Sequence, residues 1–306
     1  MLQITQEYKI KVLNALLEVR KNFDGSNKAF AEQWGLNSTV FSQLINGKID
    51  GLVKDVQWLN IGRELEVNLH DRVWKMAKTD VYKMIEQDVR FCQEFAKSRI
   101  CVDDCGIGKT YSAKYLSRTL KNCFYIDASQ AKTKQLFIKL LAKTIGVPFG
   151  KYAEMKANVK YYLKMLPNPV VIVDEAGDLE YNAFLELKEF WNATENCCGW
   201  YLIGADGLRE KIARGINSKK VGFRELFSRY SENYTSPIPT EQRAKVDYYR
   251  KLITQVLMVN MADKKELNTI VTKCLTRDEQ GNIGGLRRAE SLLIISELEK
   301  NGSQSD

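Results

Sequence analysis

One stretch restricts the fold of this chain more than any other: CVDDCGIGKTYSAKYL, Cys101 to Leu116. A short apolar run, Ile100 to Val102, leads into it, and helix formers with apolar residues at helical spacing follow to Leu120. Strand, glycine turn and helix in that order is the setting a phosphate-binding loop requires. Gly108-Lys109-Thr110 matches the end of the pattern G-x-x-x-x-G-K-[ST], and Gly106 adds a second flexible position. In such a loop the backbone from Gly106 through Ile107 to Tyr111, at the start of the next helix, faces phosphate oxygens. Lys109 is expected to bind the β- and γ-phosphates of ATP, and Thr110 to hold Mg²⁺. Asp103 stands where the pattern has its first glycine. That position ends the strand, farther from the phosphates than Gly106 and Gly108, so the loop is expected to tolerate the change. An inward-pointing Asp103 would repel phosphate.

A second segment supports the first. NPVVIVDEAGDL, Asn168 to Leu179, is an apolar, β-branched run ending in two adjacent carboxylates, which is how a buried parallel strand reads. Asp174 lies 65 residues after Lys109 and is placed to reach the magnesium shell. Glu175 is placed to polarise an attacking water. The next apolar run, Gly199 to Ala205, predicts another central strand, and Asp206 after it is the nearest polar residue that could sense a γ-phosphate.

Further along, VGFRELFSRYSENY carries Arg224 and Arg229 near the end of a predicted helix. Either could serve a neighbouring subunit's γ-phosphate, supplying charge in the transition state. In GNIGGLRRAESLL, glycines precede a helix with Arg287 and Arg288 in its first turns. Positive charge is unfavourable at a helix N-terminus, which points to an anionic partner there. Arg287 is expected to reach nucleotide from a helical lid.

Taken in this order, the glycine loop, the Asp174-Glu175 pair, FRELFSRY and GGLRRAE resemble the AAA+ ATPases, P-loop ATPases with a helical lid. Within them the chain is most similar to the transposition ATPases of the phage Mu B, TnsC and IstB type, over roughly residues 80–300. The resemblance implies an ATP- and Mg²⁺-dependent ATPase that binds duplex DNA with little sequence preference, selects target DNA and stimulates a transposase. It also implies a homo-oligomer, as a ring or helical filament on DNA. A helicase loader and a helix-turn-helix transcription regulator with nucleotide as ligand are the competing readings. The Asp174-Glu175 pair speaks against the regulator, since a pure switch needs no carboxylate to activate water.

The first ninety residues follow different physics. In SNKAFAEQWGLNSTVFSQLINGK, Ser26 to Lys48, the residues Ala29, Phe30, Trp34, Leu36, Phe41, Leu44 and Ile45 are spaced to bury one face of two short helices. Gly35 falls at the turn between them, and Asn37 or Ser38 is placed to cap the second. This resembles a repressor-type helix-turn-helix, whose second helix would offer Ser38, Thr39 and Gln43 to a major groove. A small helical bundle for protein contacts is the other reading. Residues 60–85 read as a connecting segment, and the lone His70 as a surface or packing residue.

Charge narrows the partner. The chain carries +8, and six of those excess charges fall between residues 91 and 237, around the glycine loop. That distribution suits a polyanionic partner. Lys132 and Lys134, on the turn into a predicted helix, and the stretch with Lys211, Arg214, Lys219 and Lys220 are expected to contact DNA phosphates rather than bases. Seven cysteines without a C-x-x-C pair, and a single histidine, exclude a zinc site and a disulfide framework. No apolar run is long enough to cross a membrane and the first residues lack a signal-peptide core, so a cytoplasmic protein is expected. The expected architecture is α/β: a small all-α helix-turn-helix domain (1–65), a P-loop core of parallel sheet flanked by helices (66–235) and a helical lid (236–306).

Overall fold

The computed structural model describes residues 4–23, 25–68, 74–147, 150–277 and 283–302. His70, Gly281 and Asn282 lie outside the described residues. By their internal contacts, residues 1–73 with 116–123 form one compact unit, and 74–115 with 124–306 form another.

The first unit is built on four helices, α1 (Gln6–Asn22), α2 (Asn27–Gln33), α3 (Ser38–Ile45) and α4 (Asp55–Glu64). The Ser26 hydroxyl caps α2 by accepting from the Ala29 amide, and Asn37 caps α3 by accepting from the Thr39 amide. Between them Gly35 takes a positive φ of 65°, a conformation that costs glycine nothing. Leu16, Phe30, Ala31, Phe41, Leu44, Trp58 and Ile61 form the core. Two expected core positions fail: Ala29 and Ile45 are exposed, and Ala31 is buried in place of Ala29. A seven-residue helix turns too few times for spacing alone to choose between two alanines that flank Phe30.

The second unit opens with α5 (Asp80–Phe95), capped by the Thr79 hydroxyl, which accepts from the Tyr82 amide. The segment read as a connector is therefore partly helical at both ends, with α4 running to Glu64 and α5 starting at Asp80. Then follow β1 (Ser98–Val102), α6 (Lys109–Thr119), β2 (Cys123–Asp127), α7 (Lys134–Ile145), α8 (Tyr152–Met165), β3 (Val170–Asp174), α9 (Tyr181–Ala193), β4 (Gly199–Gly204), α10 (Asp206–Asn217), α11 (Phe223–Arg229) and β5 (Tyr234–Thr235). The sheet order is β2-β3-β4-β1-β5, and β1 pairs in parallel with β4 and β5, as β3 does with β4. Every residue of β3 and β4 is buried, as expected of parallel strands covered on both faces. Helices α12 (Gln242–Asn260), α13 (Leu267–Leu275) and α14 (Leu286–Gly302) follow β5.

This topology sets the chemistry at one edge. Strands β1, β3 and β4 are neighbours and point the same way, so the residues after Val102, Asp174 and Gly204 emerge side by side. Ligands of open α/β sheets collect at such carboxyl ends.

Candidate nucleotide site

The loop between β1 and α6 turns twice through positive φ, at Gly106 (73°) and Gly108 (96°). Those two turns let the backbone fold over the start of α6, where unpaired amides and the helix dipole favour an anion. A cavity of about 430 Å³ opens there. Gly106, Ile107, Gly108, Lys109, Thr110 and Tyr111 all line it, together with Glu175, Gly204, Ala205 and Arg287. The expected phosphate-site residues are thus brought together from three strand ends and from α14.

The Lys109 ammonium donates to the carbonyls of Asp103 and Asp104, each at 2.7 Å. Three N–H groups are available, so a donor remains for a phosphate oxygen. Asp103 does not point at the phosphate site. Its carboxylate is buried and accepts from the Ser236 hydroxyl (2.6 Å), the Ile238 amide (3.2 Å) and, through its other oxygen, the Asp104 amide (2.7 Å). The residue that departs from the glycine pattern anchors the chain after β5.

Asp174, at the end of β3, is buried and accepts from the Tyr125 hydroxyl at 3.0 Å and the Glu175 amide at 2.9 Å. Glu175 takes a left-handed backbone conformation, φ 49°, uncommon for a residue with a side chain. The turn swings it off the strand and over the cavity. Partial burial, then the Asp174 and Asp178 carboxylates, push the Glu175 carboxyl above its ordinary range, while Lys109 pulls the other way. A raised carboxylate beside a phosphate site is suited to taking a proton from water.

Other expected residues fall elsewhere. Asp206, the proposed sensor, is the exposed first residue of α10, 3.6 Å from Arg209, and does not line the cavity; Gly204 and Ala205 do. Arg224 lies in the first turn of α11 rather than near its end, because that helix is only seven residues long. It is exposed, without a partner among the described residues. Arg229 is engaged within its own chain: its Nε donates to Asn192 Oδ1 at 2.8 Å, its Nη1 to the Glu225 carbonyl, and it lies over the Trp191 ring. Arg287 lines the cavity, whereas Arg288 turns away to Thr276.

The basic residues converge more than their spacing suggests. Lys132 pairs with Asp178 at 2.8 Å, and its carbonyl accepts from the Glu180 amide. Lys220 sits 3.9 Å above the Tyr181 ring, and the Tyr181 hydroxyl donates to the Val221 carbonyl. Lys132, in the loop before α7, and the turn after α10, with Lys219 and Lys220, therefore flank the start of α9, whereas Lys134 is the first residue of α7 and lies 5.9 Å from the Tyr152 ring on α8. Lys211 belongs to a different task. Its ammonium donates to the Gly177 carbonyl at 2.7 Å and to the Leu179 carbonyl, and burial holds it below the ordinary lysine range. It braces the turn after Glu175 and is not a surface phosphate contact.

Sequence spacing gave no hint of one wall of the cavity. Trp74, Lys75, Met76 and Ala77 line it, strapped from several sides. Trp74 Nε1 donates to Glu290, the Tyr111 hydroxyl donates to the Trp74 carbonyl, and the Lys75 amide donates to Asn260. These partners lie up to 216 residues apart, so no local pattern could reveal them.

Sheet order, loop geometry and the acid pair at the end of β3 are consistent with a P-loop AAA fold. Residues 96–212 match a family model described as an AAA domain, a span from the end of α5 into α10. No curated protein matches the chain. Residues 1–95 and 213–306 lie outside the matched span. No helix among the described residues is long and apolar enough to cross a membrane, and no cluster of metal-binding side chains occurs among them.

Proposed function

We propose that this protein is an ATP-dependent ATPase that binds duplex DNA with little sequence preference, selects target DNA and stimulates a transposase. The AAA domain supports the ATPase part. What supports DNA binding is the approach of Lys132 and of the Lys219-Lys220 turn to the start of α9, in the same unit as the phosphate loop. Phosphate contacts from such lysines give affinity without base reading. In the first unit, Thr39 is exposed and Gln43 half-buried on α3, available to a second DNA contact.

The cavity lining suits ATP with Mg²⁺: a loop of amides, a lysine with a donor to spare, the Thr110 hydroxyl, Glu175 and Arg287, with the buried Asp174 one residue before Glu175 rather than in the lining itself. ATP with Mg²⁺ supplies a phosphoanhydride bond open to attack by water. Lys109 and the loop amides hold the β- and γ-phosphates, and Thr110 with Asp174 hold the metal. Glu175 orients water and takes its proton, while Arg287 adds positive charge from α14. Arg224, exposed and unpaired, is the better arginine to serve a neighbouring subunit, since Arg229 would first have to leave Asn192 and Glu225. A site shared between subunits ties ATP to assembly of a ring or filament on DNA, and we place this work in the cytoplasm.

ATP turnover measured with and without random-sequence duplex DNA tests the proposal. Marked stimulation by any duplex, lost in Lys219→Ala/Lys220→Ala, is expected. A single preferred operator without turnover would instead make the protein a regulator, and binding to a helicase without duplex stimulation would make it a loader.

A further inference from the structure

Three contacts tie successive parts of the phosphate loop to the chain beyond β5. Asp103 is held by Ser236 and Ile238, Asp104 by α12, and the Gly106 carbonyl by the Leu286 amide at 2.7 Å. The middle contact carries charge. One oxygen of Asp104 accepts from the Tyr249 hydroxyl at 2.8 Å and lies 2.6 Å from the Lys245 ammonium. Lys245 and Tyr249 are four residues apart, so one face of α12 meets the acid. Burial favours protonation of Asp104, but the hydrogen bonds from Lys245 and Tyr249 overcome it and hold the carboxyl below its ordinary range. The acid is therefore a carboxylate, and its charge is met by a cation from a different element.

A carboxylate is a liability in a loop that must hold a polyphosphate. At the reduced effective dielectric near a protein surface, like charges several ångströms apart repel appreciably unless a counter-charge is present. The backbone of Asp104 matters as well, because its carbonyl is one of the two that position the Lys109 ammonium.

We propose that the Asp104–Lys245 pair makes polyphosphate binding conditional on the seating of α12 against the loop. With α12 seated, Lys245 neutralises Asp104, and the Asp104 carbonyl stays where it aims Lys109. With α12 displaced, the bare carboxylate repels the phosphates. Asp104 and Lys245 act as positioning residues, working through Lys109 and the local field without touching nucleotide. Linkage runs both ways, so nucleotide in turn favours the seated α12. The inference rests on the reading of this loop as an ATP site, and its test separates the two.

The test is equilibrium binding of a fluorescent ATP analogue with Mg²⁺ to the full chain, in wild type, Lys245→Met, Asp104→Asn and the double variant. Lys245→Met is expected to weaken binding about tenfold at low salt, as an uncompensated charge near the phosphates should. The deficit should shrink at about 0.5 M salt, where screening is short-ranged. Removing the acid as well should restore affinity to within about threefold of wild type, because both charges of the pair are then gone. Lys245→Gln serves the same comparison if the Met variant fails to fold by circular dichroism. Binding unchanged in Lys245→Met, or a double variant no better than the single, would overturn the proposal alone. Wild type without affinity for the analogue would overturn the ATP reading itself, and the proposal with it.

Discussion

The amide of Leu286, the first residue of α14, donates to the carbonyl of Gly106 in the phosphate loop at 2.7 Å. The two residues are far apart in sequence, yet this bond brings Arg287 to the cavity. Close approach depends on Gly285, where an added Cβ would lie 2.7 Å from the Gly106 carbonyl oxygen. Gly285→Ala should therefore push α14 off the loop. Faster hydrogen exchange of the Leu286 amide is expected, with nucleotide affinity reduced about tenfold, the scale of one hydrogen bond with part of a charge contact. An unchanged exchange rate would show that α14 is held by other contacts.

Glu175 should control turnover without controlling binding. Glu175→Gln removes the proton acceptor but keeps the shape, so kcat is expected to fall about a hundredfold or more while affinity for ATP is kept. The base works only when ionised, and its pKa is raised, so turnover is lost as pH falls through that raised value. The acid limb of the kcat profile should lie above the range of an ordinary carboxylate and should vanish in the Gln variant. A profile flat down to the ordinary carboxylate range would contradict the assignment.

Lys211 offers a contrast between bracing and binding. Lys211→Met leaves the carbonyls of Gly177 and Leu179 without their donor and loosens the turn after Glu175. Turnover should fall several-fold while the salt dependence of DNA binding stays as in wild type. A change in DNA affinity with normal turnover would return Lys211 to the basic surface.

Much of this site was legible in the sequence, for a physical reason. The phosphate loop, β3 with its acid pair and β4 are local patterns, an apolar run followed by a residue type that only a few jobs require. Asp103 illustrates the limit: its departure from the glycine pattern was visible, but its purpose lay in Ser236 and Ile238, beyond β5. Lys211 and Lys220 look alike in sequence, and only packing separates the half-buried brace from the exposed cation. Arg224 and Arg229 were equivalent until Asn192 and Trp191, on α9, took one of them. The Trp74–Ala77 wall carries no motif and is recruited to the cavity by Glu290, Tyr111 and Asn260.

The basic rim makes a prediction in salt. If Lys219 and Lys220 each neutralise a DNA phosphate, replacing both by Ala should flatten the slope of log affinity against log salt by roughly two. ATPase activity without DNA should be unaffected. An unchanged slope would remove this turn from the DNA surface.

Everything proposed for the cavity depends on Lys109, Thr110 and Asp174 holding ATP with its metal. Calorimetric titration of the full chain with a non-hydrolysable ATP analogue, with and without Mg²⁺, tests this most directly. Wild type should bind in a Mg²⁺-dependent manner. Lys109→Ala should weaken binding about tenfold to a hundredfold, the loss of charge-assisted hydrogen bonds to phosphate. Asp174→Asn should abolish the Mg²⁺ dependence. Absence of binding by wild type, or equal binding by wild type and Lys109→Ala, would contradict the account.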